Sequence, residues 1–169
     1  MQERETPRLT RRALLGGTIA LCAACDPVGA AKQQEHLEHA HDVAILRRVI
    51  LAEEAFVELY AAVRRQHPNL SGGIQPLAAH HHKHLEELRQ RLRVRIPDSS
   101  ASPTTATRAT PRATAPTSPS IAREALGSAE REAATARVTD LTHATPALAQ
   151  LLASLGACAA AHAHMLSEM

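Results

Sequence analysis

Eleven histidines, in a chain of 169 residues with one phenylalanine, one tyrosine and no tryptophan, make imidazole the most conspicuous functional group. The densest run is His80-His81-His82-Lys83-His84, and His162 follows Cys158 by one helical turn's spacing. Imidazole binds transition metals and carries protons near neutral pH. Placed on helical wheels at about 100° per residue, His81 lies in the middle of a leucine stripe, with His84 about 60° to one side. His80 and His82 fall at the stripe's edges. His162 is central on a second stripe, Cys158 flanks it, and His164 faces away. Upstream, Glu53 shares an apolar arc with Val49 and Tyr60, while Glu54 points the other way. Downstream, Glu132 sits about 60° from the centre of an alanine-rich face and Glu130 about 100° from it. The expected inward set is Glu53, His81 with His84, Glu132 and His162.

A buried carboxylate or imidazolium without a partner is costly. Three arrangements remove that cost: the two glutamates hydrogen-bond the histidines, the helix phases differ from the wheels so that some groups reach water, or the group holds iron, zinc, manganese or copper through nitrogen and oxygen. A further group, His36, His39 and His41 beside Glu35, has the spacing of a solvated helix start or a weak surface metal site. No Gly-rich phosphate loop or Ser-His-Asp arrangement can be read from the chain. Cys158, among alanines, reads as a small apolar side chain.

The elements that carry these residues are all helical. Ile45, Val49, Ala52, Phe56, Leu59 and Val63 recur at alternating spacings of four and three, predicting a helix from about Gln33 to His67 that Pro68 stops. Ser71-Gly72-Gly73 is expected to form a turn and cap, with Pro76 confined to the first turn of a second helix ending near Arg95. Residues 97–119, with Ser, Thr and Pro and almost no bulky apolar side chain, read as an extended linker. Ser118-Pro119 and Thr145-Pro146 each pair a cap with proline at the first helical position. They open a third helix to about Leu141, with Ile121, Ala125, Leu126, Ala129, Ala133 and Ala136 inward, and a fourth to about Glu168. The linker, at about 3.1 Å per residue, exceeds the length of either neighbouring helix, so it can return the chain along the molecule. Pro68, Leu70, Ile74, Leu77 and His84 recur as Pro146, Leu148, Leu152, Leu155 and His162, each 78 residues on, which points to an internal duplication.

The N-terminus carries an address. Arg11-Arg12 precedes a short apolar run from Ala13 to Ala24 that is too short to span a bilayer. The pair resembles a twin-arginine export motif, and Ala23-Ala24-Cys25 resembles a lipobox. Residues 1–25 are therefore expected to be a signal peptide, with Cys25 lipidated and the chain tethered to the outer face of the plasma membrane; the alternatives are a cleaved signal without lipid and an uncleaved membrane anchor. Residues 26–96 form the tether and first helical hairpin, and residues 120–169 the second. Loss of the signal removes four arginines and two glutamates, leaving 15 basic against 15 acidic residues. That neutrality offers no footprint for nucleic acid, and Cys158 is then left without an intramolecular disulfide partner.

Two hairpins joined by one long crossover define an all-α, four-helix bundle with ferritin-like connectivity. The segments Leu77-Ala78-Ala79-His80-His81-His82-Lys83-His84 and Leu151 to His162 resemble the paired helices of ferritin-like lipoproteins from actinobacteria. The resemblance implies a carboxylate on the first and third helices, matched by Glu53 and Glu132, and Glu-x-x-His on the second and fourth, matched in its histidine by His84 and His162. His81 and Ala159 stand where the bridging glutamates would be. A carboxylate-bridged di-iron centre is thus degenerate here, and the expected role is a non-catalytic binding or accessory module. The alternative is a mononuclear, His-rich metal-binding or redox protein of the cell envelope. An envelope protein partner is a further expectation.

Overall fold

The computed structural model describes residues 27–96 and 114–169. The expected signal peptide with Cys25, and most of the expected linker, lie outside the described residues. Among the described residues the chain is all-helical: α1 (Pro27–Gln66), α2 (Ser71–Arg95), α3 (Pro119–Leu141) and α4 (Pro146–Glu168), with a single 3-10 turn at Pro68–Leu70. Contacts divide the chain into two units, Met1–Glu35 and His36–Met169. The described part of the first is the exposed opening of α1. Every buried residue among those described lies in the second.

Helix α1 starts at Pro27, where a tether to about Lys32 was expected. Ala30, Ala31, Lys32, Gln33 and Gln34 are strong helix formers, and proline suits the first helical position. At the other end Pro68 breaks the helix and opens the 3-10 turn. Ser71, Gly72 and Gly73 are already helical, and among the described residues no glycine has positive φ. Pro76 therefore lies in the second turn of α2, one turn deeper than expected. The carbonyl it leaves without a donor is that of exposed Gly72, which water can satisfy. Both expected proline starts hold: Ser118 and Thr145 have extended backbone and precede Pro119 and Pro146.

Side chains link every helix to its neighbours in a consistent order. Glu53 meets His81, while Asp42, nearer the start of α1, pairs with Arg95 at the end of α2. Tyr60, Glu53 and Arg48 reach Glu130, Arg137 and Asp140 respectively, so residue order along α1 and α3 runs in opposite senses. Helices α3 and α4 approach closely at glycine: a Cβ on Gly156 would lie 3.1 Å from Arg137 Cβ, and one on Gly127 3.8 Å from Leu166 Cβ. Between α2 and α4, His80 meets His162 and Arg95 meets Thr145. His67 donates from Nε2 to the Pro116 carbonyl (2.7 Å), holding the described end of the linker against the end of α1.

The interior has three layers. One apolar cluster contains Ile45, Leu46 and Val49 with Leu88, Leu152 and Leu155. The other contains Phe56, Tyr60, Ile74, Leu77, Leu126 and Leu166. Between them in sequence on each helix lie the buried polar residues Glu53, His81, Glu130, Arg137 and His162. The 78-residue correspondence places Ile74 with Leu152, and Leu77 with Leu155, all four buried. Helix α4 is long and apolar enough to cross a bilayer by length and composition, and it supplies leucines to both clusters.

Candidate metal centre

The polar layer is a chain of hydrogen bonds. His81, 1% exposed, donates Nδ1–H to Glu53 Oε2 at 2.8 Å and Nε2–H to Glu130 Oε1 at 2.9 Å. His84 Nδ1 lies 3.3 Å from the same Glu53 oxygen, and Arg137 approaches Oε1 at 3.5 Å. On Glu130, Oε1 accepts from Tyr60 (2.7 Å), His81 and His162 Nδ1 (3.1 Å). Oε2 of Glu130 is buried with no partner. The outer nitrogen of His162 then faces His80 Nδ1 at 2.9 Å and Cys158 Sγ at 3.3 Å.

Both aromatic residues of the chain pack on His81. Phe56 stacks on its ring (centroids 4.5 Å apart, planes 9° from parallel) and Tyr60 tilts against it at 5.2 Å. That wall fixes the imidazole plane so that its two nitrogens aim at two carboxylates.

The proton count follows from these contacts. An imidazole that donates from both nitrogens is an imidazolium. Burial works against its charge, but the bonds from Glu130 and Glu53 raise its pKa to about 9. Burial likewise opposes ionisation of Glu130, and the bonds from His162 and His81 outweigh it, holding the carboxyl at about 2. Glu53 is held at about 2 against its burial by bonds from His81 and His84. Burial, then the Glu130 charge, push Tyr60 far up, so its hydroxyl stays a neutral donor. Two carboxylates against His81 and Arg137 leave the layer balanced, as buried charges require. Burial, then the charges of Glu130 and Glu53, also raise the Cys158 thiol.

Of the expected inward residues, Glu53, His81 and His162 are buried and joined, and His84 sits half-buried beside Glu53. Glu132 is corrected: it is exposed, on a groove between α1 and α3 with Ala52, Phe56 and Ala133. Glu130 occupies the inward position, 0% exposed. The true buried face of α3 is Ala122, Leu126, Gly127, Glu130, Arg137 and Asp140, while Ile121 and Ala136 are exposed. Alanine carries too little hydrophobic weight to phase a helix, and Glu130, expected about 100° from the alanine face, lies on the buried face instead. Sequence reasoning also missed buried Asp42, Arg137 and Asp140. The spacing of Arg137 and Asp140 from Glu130, about two and three turns, was the available signal. His36 and His39 are exposed, and His41 Nδ1 bonds the His143 carbonyl.

Three sets of side chains among the described residues bring ligand atoms close enough to hold one ion: His81, Glu130 and His162; Glu53, His81 and His84; and His80, Cys158 and His162. No family model, curated protein or solved structure matches the chain.

Proposed function

We propose that this chain is an exported, lipid-tethered four-helix bundle of ferritin-like connectivity that binds a transition-metal ion where His81, Glu130 and His162 meet. The bundle is supported by the residue order of the helix contacts: α1 runs opposite to both α2 and α3, and α4 runs opposite to both as well. That order needs one long crossover between α2 and α3, where the Pro-rich linker lies. Export and tethering rest on the twin-arginine pair and the cysteine at position 25. The neutral charge balance argues against nucleic acid as a partner.

The observation that carries metal binding is Glu130. One oxygen accepts three hydrogen bonds while the other is buried without any, an imbalance a bound cation would relieve. The donor set suits one ion of zinc, copper or iron, bound as His81 Nε2 and His162 Nδ1 release to solvent the protons they donate to Glu130. It does not suit a carboxylate-bridged pair, because His81 and Ala159 occupy the positions of the bridging carboxylates. The role is therefore that of a binding module of the cell envelope. The test is metal content after dialysis, by elemental mass spectrometry, for the wild type and for His81→Ala combined with His162→Ala. The wild type is expected to retain stoichiometric metal and the double variant to lose it with its helical circular dichroism kept. Equal contents overturn the proposal, as does a pair of irons per chain with oxygen consumption.

A further inference from the structure

The outward side of His162 is built differently from the inward side. His162 and Cys158 stand one turn apart on α4, and His80 reaches them from α2. Their three donor atoms form a triangle with edges of 2.9 Å (His80 Nδ1 to His162 Nε2), 3.3 Å (Cys158 Sγ to His162 Nε2) and 3.9 Å (Cys158 Sγ to His80 Nδ1). Hydrogen bonds confined to the three atoms leave one donor without an acceptor among them. Because His162 Nδ1 faces the Glu130 carboxylate, neutral His162 keeps its proton there and leaves one lone pair on Nε2. The His80 Nδ1–H and the Cys158 thiol then compete for that one lone pair. If the thiol takes it, the bare nitrogens of His80 and His162 face each other.

A cation resolves the conflict by taking a lone pair from each atom. Around a tetrahedral zinc ion, bond lengths of about 2.05 Å to nitrogen and 2.3 Å to sulfur put the N···N edge at about 3.3 Å and the N···S edges at about 3.6 Å. Each observed edge lies within about half an ångström of those values. Behind the ligand, Glu130 accepts from His162 Nδ1, the carboxylate–histidine support that fixes the tautomer and orientation of a metal-bound imidazole. His80 is exposed and Cys158 half-buried, which leaves the fourth coordination position facing solvent.

We infer that His80, Cys158 and His162 form a second metal site, selective through its thiolate for a thiophilic ion such as zinc or copper(I), with an open fourth position. It goes beyond the inner centre and shares only His162 with it; the two nitrogens of that ring face opposite ways, so either set can be filled alone. On binding, His80 takes the Nε2–H tautomer and the thiol proton leaves to solvent, one proton released per ion.

Cobalt(II) titration of the full mature chain under a thiol-free reductant tests this, because cobalt reports thiolate ligation optically. A thiolate-to-cobalt charge-transfer band is expected in the near ultraviolet, displaced by zinc. Cys158→Ser should abolish the band, and His80→Ala, which alters an exposed side chain, should keep the fold and weaken binding at least tenfold. Should Cys158→Ser fail to fold, the His80→Ala affinity carries the test. Cobalt bound without the band, and indifferent to both substitutions, would overturn the second site while leaving the inner centre standing. No cobalt binding at all would remove both.

Discussion

Replacing His81 with glutamine removes the positive charge at the centre of the polar layer while keeping a side chain of similar reach. In the folded protein His81 is held at about 9 against 6.5 for a free histidine, by bonds from Glu130 and Glu53 that outweigh its burial. That difference corresponds to about 3 kcal/mol of stability. The sign follows from linkage. A raised folded pKa contributes in full below about 6.5 and is lost as pH climbs through about 9. The carboxylates act at the acid end: Glu53 and Glu130, lowered from 4.5 to about 2, contribute above 4.5 and lose that contribution as pH falls toward 2. Stability should therefore plateau between about pH 4.5 and 6.5 and decline on both sides. Glutamine has one donating nitrogen where imidazolium has two, presents an accepting oxygen in place of the other, and carries no charge. His81→Gln should cost about 3 kcal/mol at pH 6, and the gap from wild type should shrink to about 1 kcal/mol above pH 9.5. Urea unfolding followed by circular dichroism, with chelator and reductant present, measures both curves. A wild type equally stable at pH 6.5 and 9.5, or a variant with the same alkaline decline, would refute an imidazolium at this position.

Other perturbations probe the frame that holds the layer. Leu152→Ala, at a fully buried position of the first apolar cluster, should cost about 2–5 kcal/mol in urea unfolding. At Gly156, where a Cβ would meet Arg137 Cβ at 3.1 Å, leucine should overpack the α3–α4 contact and cost about 1–3 kcal/mol by the same assay. Asp42→Ala leaves the Arg95 guanidinium and the Thr145 N–H without their shared acceptor, and should destabilise the protein by about 1–3 kcal/mol. Cys25→Ala should move the protein from the membrane pellet to the soluble fraction of a cell extract, as seen on fractionation.

The parts of this molecule legible in the sequence are those where large apolar side chains or prolines give a strong local signal. Leucine and isoleucine stripes phased α2 and α4, so the inward positions of His81 and His162 followed directly. Pro68, Pro119 and Pro146 fixed helix boundaries through chain geometry alone. Helix α3 lacks that contrast: with alanine on several sides, its phase is set by Leu126 and by buried Glu130, Arg137 and Asp140. The opening of α1 was missed because residues 28–41 are exposed throughout and follow helix propensity without an apolar face. The meeting of His80 with Cys158 and His162 depends on the register of α2 against α4, which no local pattern encodes.

X-ray absorption at the zinc edge of zinc-loaded His80→Ala/Cys158→Ser protein tests the inner centre most directly, since the two outer ligands it does not share are then gone. The expected signal is a shell of nitrogen and oxygen at about 2.0–2.1 Å with the outer scattering of two imidazoles, from His81 and His162. An oxygen-only shell, or no zinc retained after dialysis, would contradict a metal held by Glu130 and its two histidines.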